Sequence, residues 1–599
     1  MSVAPPPTAS AADSASSPTG SNDTASRPTG SRRSRWLLFV LLGLTAVLYS
    51  WHFGSDQASS YYASWVQASA QSWKAFFFGA TDQTAFITTD TPPAPLWVMG
   101  ISARIFGFNT WSMLVPQAIE GVATVWLLCA TVRRWASPAA GLVAGGVLAV
   151  TPVAALIFRY NRPDALLVLL LVAAAYCVVR AMERASAQWM LAAGSCLGFA
   201  FLTKFVQAFL VLPAFVLVYL VAAPASLRRR IGHVLLAGGA MAVSAGWWIA
   251  IVAVWPAGSR PYIGETQHNS ILELVFGSNG INRVSGSAAP AGAPDSPGPF
   301  RLTDSVLGGQ VGWLVPAAVL LLSALIWLPK PRLPRSDPRR KSVLLWGAWL
   351  AVTGIVLSFM PGHFLAVYTA ELAPAVAAVV GVGGVLCWNR RGELKARWIL
   401  VGAVFTTVAE ALFVLGQTPE WLPLLRPTLL VAGLITVAAM VYKPGRFAAA
   451  AAIVVGLTGP VAYSICTVSA LPASEEPTAG PVDHGAVSSE GLGAHLVTVL
   501  STNSSAYSWA VATVSGQAAA RYQLAINAPV MTIGGYFGTD PVPAPPDFQR
   551  FTRAHRIHFF VAGEARGTGY STQITDWVTR TFTETEIDGV RVYDLTRPR

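Results

Sequence analysis

Between residues 36 and 467 the chain repeats one pattern, a long apolar run followed by a short polar turn. A helix of ~20 apolar residues crosses the ~30 Å hydrocarbon core of a bilayer, and lipid permits a spanning backbone little else than helix or closed barrel. Thirteen segments qualify: 36–53, 111–131, 139–157, 165–180, 188–203, 205–222, 233–255, 309–328, 343–360, 364–387, 398–416, 424–442 and 447–467. A mean hydropathy of +0.50, with 53% hydrophobic and 12% charged residues over 599 positions, excludes a soluble domain of ordinary composition. The expected fold is an α-helical polytopic membrane protein.

A formal charge of +12 would suit nucleic acid, but the basic residues are not gathered on one surface. They fall in alternate loops: Arg32-Arg33-Ser34-Arg35, Arg133-Arg134, Arg228-Arg229-Arg230, Lys330 through Lys341, Arg390-Arg391 with Lys395 and Arg397, and Lys443 with Arg446. Cytoplasmic loops carry such an excess, so these loops and the N-terminus are expected in the cytoplasm. An odd number of spans then places the C-terminus outside. All five cysteines lie inside apolar runs, which indicates no disulfide framework and no zinc site.

The organisation expected from this reading has four parts. Residues 1–34 form a cytoplasmic tail, whose first 30 positions are Ala, Ser, Thr, Pro and Gly with almost no large apolar side chain, a composition that stays disordered. Residues 35–467 form the membrane domain, with long outer loops at 54–110 and 256–308. The first loop carries Tyr61, Tyr62, Trp65, Trp73, Phe76, Phe77 and Phe78, which predicts a helix lying in the interface plane with its rings at headgroup depth. The second contains a Gly/Ala/Pro/Ser-rich tract, 285–299, that reads as a flexible loop. After a linker at 468–492, residues 493–599 alternate short β-type runs with helical stretches, which predicts a small α/β domain on the outer face. In it, Gly534-Gly535 with Gly538 is a turn signal and not a nucleotide fingerprint.

One polar stretch stands out against the apolar background. Phe158-Arg159-Tyr160-Asn161-Arg162-Pro163-Asp164 separates two long apolar runs. Ionisable groups at a membrane edge are costly unless they serve a polar ligand or water. Moving a sugar off a lipid phosphate needs a carboxylate to take the acceptor proton and cations to steady the departing phosphate. On the outer side the carboxylates are Asp56, Asp82, Asp90, Asp164, Glu265 and Glu273, and the cations Arg104, Arg159, Arg162, Lys204 and Arg260. Each has an ordinary structural alternative. Asp164 after Pro163 can cap the following helix. Arg159 and Arg162 can meet lipid headgroups, and Lys204 can snorkel to water. Asp90, fixed by the following Thr91-Pro92-Pro93, can be a solvated turn residue, and His268 a surface histidine. Glu120, Glu371 and Glu410 fall within spans and are expected to face the bundle interior.

These pieces together resemble a family. The chain is similar to GT-C glycosyltransferases of the branch containing protein O-mannosyltransferases and bacterial aminoarabinose transferases, and above all to bacterial mannosyltransferases with a C-terminal extracytoplasmic domain. The resemblance rests on Tyr61-Tyr62, Ser72-Trp73-Lys74-Ala75-Phe76-Phe77-Phe78-Gly79, Asp90-Thr91-Pro92-Pro93-Ala94-Pro95-Leu96-Trp97 and the Phe158–Asp164 stretch. Phe199 to Lys204, Arg260-Pro261-Tyr262-Ile263-Gly264 with Asn269-Ser270, Val530 to Gly535, and Tyr593-Asp594-Leu595 complete it. It implies an inverting transfer from a polyprenyl-phosphate sugar to an acceptor on the outer face. Asp90 matches an acidic residue that builds the site and in some members binds a divalent metal. His268 falls at a loop position resembling a metal ligand, and Asp164 and Arg159 match the acidic residue and adjacent cation after the third span. Three positions depart from the pattern. Ala58-Ser59 stands where relatives carry an acidic pair, leaving Asp56 as the nearest carboxylate. Thr91 replaces a lysine, and Arg162 replaces an asparagine and could supply the missing charge.

The expected function is therefore a membrane glycosyltransferase that moves a hexose, mannose first among candidates, from a polyprenyl-phosphate donor. Asp90, Asp164 and Asp56 are the catalytic candidates, and Arg159, Arg162 and Lys204 the donor-phosphate ligands. Tyr61, Tyr62, Tyr262 and Asn269 are candidate substrate contacts, and Asp90 with His268 a candidate metal pair. Membrane lipid and a glycan, protein or lipid acceptor are the expected partners, with no nucleic acid. Two other readings remain open: a lipid or sugar flippase, and a catalytically weakened cell-envelope scaffold.

Overall fold

Proline and glycine decide where the apolar runs become full spans and where they break. The structure, a computed structural model, describes residues 29–54, 58–277, 297–305, 307–328, 337–361, 364–470, 477–481, 492–563 and 569–599. Nearly all of the expected disordered tail, Asp56 and most of the 285–299 tract lie outside these residues. Among the described residues ten helices are long and apolar enough to cross a membrane: Arg32–Ser50, Thr110–Trp135, Asp164–Arg184, Ala187–Phe209, Leu227–Val254, Pro338–Phe359, Ala366–Asn389, Leu394–Gly416, Leu425–Tyr442 and Arg446–Ser469. The other three expected runs are helical but shorter. Run 139–157 breaks into Pro138–Ala149 and Pro152–Ile157, because Pro152 has no N–H to continue the ladder. Run 205–222 starts as a 3-10 turn, Phe205–Phe209, before Leu212–Ala222, and 309–328 forms Gly312–Trp327.

Close helix packing decides which polar residues meet. The helices Asp164–Arg184 and Ala187–Lys204 are joined by a tight turn with Ala185 in the left-handed region, so they run antiparallel and bring Lys204 back beside Asp164. Gly194 and Gly198, one turn apart, let the Ala187–Lys204 helix lie directly on Leu227–Val254. A Cβ at Gly194 would stand 2.1 Å from the Ala237 carbonyl oxygen, and one at Gly198 2.6 Å from that of Met241. This is the small-xxx-small contact by which helices associate in lipid. The outer surfaces of Arg32–Ser50 and Leu227–Val254 bury few residues and present the apolar side chains that hydrocarbon requires.

The C-terminal region folds on a five-stranded sheet of order β2-β1-β3-β5-β4, with β1 (Trp509–Val514), β2 (Val530–Ile533), β3 (Ile557–Val561), β4 (Phe582–Ile587) and β5 (Val590–Pro598). β1 pairs in parallel with β2 and β3, and β5 runs antiparallel to β3 and β4. Helices Gly516–Ile526, Pro545–Arg553 and Tyr570–Thr581 connect the strands. All six residues of β1 are buried, as befits a central parallel strand.

The first long loop corrects one expectation. Its helix Ser60–Gln71 does not lie in the membrane interface: Tyr61 through Ser69 are all buried. The helix is covered by Gly516–Ile526 of the C-terminal domain on one side and by Ala94–Phe106 on another. Its aromatic side chains are wanted for that interior, where Tyr61 meets Tyr62, Trp65 and Tyr536 edge to face at 4.7–5.6 Å. Only the following turn keeps a ring outside, with Trp73 exposed.

Candidate active site at the edge of the bundle

The Phe158–Asp164 stretch divides its polar groups between scaffold and site. Arg159 is scaffold. Its Nε and Nη2 donate to the Trp51 carbonyl at 3.0 and 2.8 Å, and Nη2 also donates to that of His52 at 2.9 Å. The guanidinium thus closes the C-terminal end of the first span, where His52 turns the chain through a positive φ. Its Nε and Nη2 are directed at that helix end. Asn161 grips the Ser59 peptide, accepting from its N–H at 2.7 Å and donating to its carbonyl at 3.1 Å. That bond pair holds the start of the Ser60–Gln71 helix against the bundle.

Arg162 and Asp164 point the other way and meet Lys204. Arg162 Nε lies 3.3 Å from Asp164 Oδ2, and Lys204 Nζ lies 3.3 Å from Asp164 Oδ1. All three side chains are at most 8% exposed, so Lys204 does not snorkel to water and Asp164 is more than a helix cap. The Arg162 guanidinium stands 5.5 Å from the Tyr62 ring and the Lys204 ammonium 5.2 Å from that of Tyr368. Tyr368 lies on the 3-10 turn Ala366–Glu371, where residues three apart eclipse. Glu371 therefore projects on the same side as Tyr368, toward the ion cluster. It is buried, and neither of its oxygens has a hydrogen-bond partner.

Asp90 enters from the first loop. The Ile87–Thr88 segment pairs with Tyr262: Thr88 N–H donates to the Tyr262 carbonyl at 2.8 Å, and Tyr262 N–H to that of Phe86 at 2.9 Å. Pro92 and Pro93 follow, and the Ala94–Phe106 helix begins there, so Asp90 is fixed from both sides. Burial first, then the Asp90 charge, holds the Tyr61 phenol well above its ordinary range. For Tyr62 burial likewise raises the phenol, with Arg162 opposing and Asp90 and Asp164 adding to the rise. Tyr62 thus feels the charges of Asp90, Arg162 and Asp164 together.

The second loop spends its polar groups on its own shape. Asn269 accepts from the Ile263 N–H at 3.0 Å and from Arg260, whose Nη2 also donates to the Asn269 carbonyl at 2.6 Å. The Tyr262 hydroxyl donates to the Thr266 carbonyl at 2.7 Å. Tyr262 and Asn269 accordingly help to shape the loop. Arg104 lies away from the cluster, its guanidinium 3.7 Å from the Trp73 ring.

Among the described residues no group of three or more His, Cys, Asp or Glu is arranged to hold an ion. His268 is 86% exposed, with Nδ1 3.4 Å from Glu273. Burial raises the Glu273 carboxyl, but the N–H groups of Gln267 and His268 and the imidazole outweigh it and leave it below its ordinary range. His268 is therefore a partner of Glu273 on the loop surface.

Two further residues come from the C-terminal domain, and the sequence pattern did not mark them. Tyr536 packs edge to face on Tyr61 at 4.7 Å, and Asp540 Oδ2 accepts from the Glu265 N–H at 2.7 Å. Gln523 locks the same face, donating to the carbonyls of Ser64 and Thr81 and to the Gln67 side chain at 3.1–3.2 Å.

A helical bundle with an ionic cluster at one end and a mixed-sheet domain over it is matched by known proteins. Residues 90–249 fit the dolichyl-phosphate-mannose-protein mannosyltransferase family, and residues 496–581 fit the C-terminal domain of "Putative mannosyltransferase YkcB-like" proteins. The chain is similar in sequence and fold to membrane glycosyltransferases of the GT-C type. It is 29% identical to the "Putative mannosyltransferase YycA" of Bacillus subtilis (strain 168), over 92% of this chain and 94% of that one. With "Putative mannosyltransferase YkcB" of the same organism the identity is 28%, over 90% of each. Among solved structures it shares its fold with ArnT from Cupriavidus metallidurans. The TM-score is 0.58 at 14% identity for the apo state, over 94% of this chain and 98% of that one. For ArnT bound to undecaprenyl phosphate it is 0.56 at 16% identity, over 95% and 98%.

Proposed function

We propose that this GT-C glycosyltransferase moves a hexose, mannose first, from a polyprenyl-phosphate donor to an acceptor hydroxyl on the extracytoplasmic face, with inversion. The observation that carries the reading is the sealed Arg162–Asp164–Lys204 cluster, in which two cations share one carboxylate. The alternation of basic loops supports an extracytoplasmic position for the face bearing this cluster and for the C-terminal domain. The two mannosyltransferase relatives support the sugar, and an undecaprenyl-phosphate complex of the same fold supports a lipid-phosphate carrier.

The acceptor oxygen attacks the anomeric carbon opposite the phosphate. The bond from that carbon to the phosphate oxygen breaks, and polyprenyl phosphate leaves with the electron pair. The acceptor proton passes to a carboxylate, and Asp90 is the one held rigidly beside Tyr62. The lipid phosphate gains negative charge as the bond breaks, so Lys204 and Arg162 bind it more tightly in the transition state than in the donor. Asp164 keeps both cations in place. Glu371 supplies a carboxyl for a sugar hydroxyl.

Purified protein reconstituted in sealed lipid vesicles, given radiolabelled polyprenyl-phosphate mannose and membrane acceptors, tests the reading. Label moved to an acceptor, with release of polyprenyl phosphate, is expected. Donor carried across a vesicle without transfer would replace the reading with a flippase, and neither outcome would leave a scaffold.

A further inference from the structure

Among the side chains that the C-terminal domain sets against the first two outer loops, Asp540 has connections that run on toward Asp90. Asp540 is buried at the end of a turn in which Gly534, Gly535 and Gly538 all take positive φ. A Cβ at Gly535 would stand 2.0 Å from Asp540 Oδ2, so the glycine is what allows the carboxylate to emerge there. Its oxygen accepts from the N–H of Glu265, a non-glycine residue at φ 56°. That conformation persists only where the surroundings enforce it. The next link is the adjacent Gly264, whose N–H donates to Thr88 Oγ1 at 3.0 Å. A Cβ on Gly264 would meet the Thr88 carbonyl at 2.5 Å, so the two backbones touch. Thr88 is two residues from Asp90.

We propose that Asp540 is a positioning residue for the transfer reaction: by fixing the Glu265 turn it holds the Thr88–Asp90 segment in register. The C-terminal domain is then a wall of the site rather than a tethered acceptor-binding module. For its chemistry the inference rests on the transferase reading, although the positioning itself does not.

The groups facing Asp540 also make its action depend on pH. Asp90 and Glu273 lie near it from the two loops, and Tyr262 is close enough for its phenol to be raised by the Asp540 charge. Burial first, and then Asp90 and Glu273, push Asp540 up to about 7 against the pull of the Glu265 N–H. Below that pH the carboxyl is neutral and the anchor holds beside Asp90. Above it a second negative charge faces Asp90 and loosens the turn.

The test uses the full chain in nanodiscs with Asp540→Asn and Asp540→Ala. An amide oxygen still accepts from Glu265, so Asp540→Asn keeps wild-type turnover and loses the decline above pH 7. Asp540→Ala lowers kcat by on the order of 100-fold, the effect of a displacement near 1 Å at a reacting group, with KM for donor and acceptor unchanged. Hydrogen exchange, which needs no substrate, is expected to speed up at 86–90 and 263–269 in Asp540→Ala alone. Wild-type exchange in that variant, equal losses in both variants, or a change confined to acceptor KM would overturn the proposal. Faster exchange in Asp540→Ala with no transfer by the wild type would refute the transferase reading and leave the anchor standing.

Discussion

Breaking the Arg162–Asp164–Lys204 cluster tests the electrostatic reasoning most directly. Each 3.3 Å contact to Asp164 corresponds to about 5 kcal/mol of attraction at an effective dielectric of about 20. Most of that is offset by the cost of taking the ions out of water, so the intact cluster adds little net stability. Removing one partner is different. Asp164→Asn leaves two buried cations without their shared anion and is expected to cost about 3–5 kcal/mol. Lys204→Met leaves Asp164 paired with Arg162 and costs less. In the double variant the Lys204 charge that Asp164 compensated is gone, so the losses fall short of their sum by about 2 kcal/mol, within the usual range for residues in contact. The five free cysteines are all buried or partly buried, so a thiol-reactive dye reads thermal unfolding of the detergent-solubilised protein without any added label. Additive losses within about 0.5 kcal/mol, or an Asp164→Asn variant as stable as wild type, would refute the reasoning.

Arg159→Ala removes three hydrogen bonds to the end of the first span. At about 1.5–3 kcal/mol for a bond to a charged donor, it should lower the melting midpoint while donor KM stays at the wild-type value in a transfer assay. Glu371→Gln should retain wild-type unfolding and reduce kcat/KM for the donor by about 10-fold, one hydrogen bond to a sugar hydroxyl; unchanged kinetics would remove Glu371 from the site. Asp82 is raised from 3.8 to about 6 by burial, against the opposing bonds from Thr84, Phe86 and Ala85. Its folded pKa exceeds its unfolded one, so its contribution is complete below about pH 4 and is lost as pH rises through 6, about 3 kcal/mol in all. Amide exchange at 80–88, corrected for intrinsic rate, should therefore quicken between pH 4 and 7 in wild type and stay flat in Asp82→Asn.

Much of this was legible in the residues, and the misses have physical reasons. A charged stretch between apolar runs marked Arg162 and Asp164, because lipid makes stray ions expensive. The same logic did not reveal that Arg159 bonds the end of the first span, since it says that a charge must be satisfied but not whether a ligand or a helix end satisfies it. Lys204 was ambiguous until the turn at Ala185 made its helix antiparallel to that of Asp164. The helix Ser60–Gln71 was read as interfacial because its rings suit headgroups as well as a protein interior, and only Gly516–Ile526 far along the chain decides between them. β4 gives little signal in the sequence because Thr583, Glu584, Thr585 and Glu586 are all exposed, the charged pattern of an edge strand that must not pair further. Asp540 left one trace, the glycines at 534, 535 and 538, which signal a turn without naming its target.

The bond from Gln523 to the Ser64 carbonyl joins residues 459 positions apart. The loop holding Asp90 is synthesised early, and the side chains that brace it are made among the last. A nascent chain shorter than 523 residues has no Gln523 to receive the Ser64 and Thr81 carbonyls, and one shorter than 540 has no anchor for Glu265. Contacts this distant in sequence form late in folding. Biogenesis thereby acquires a safeguard, because unfinished or prematurely terminated copies sit in the bilayer with an unassembled centre.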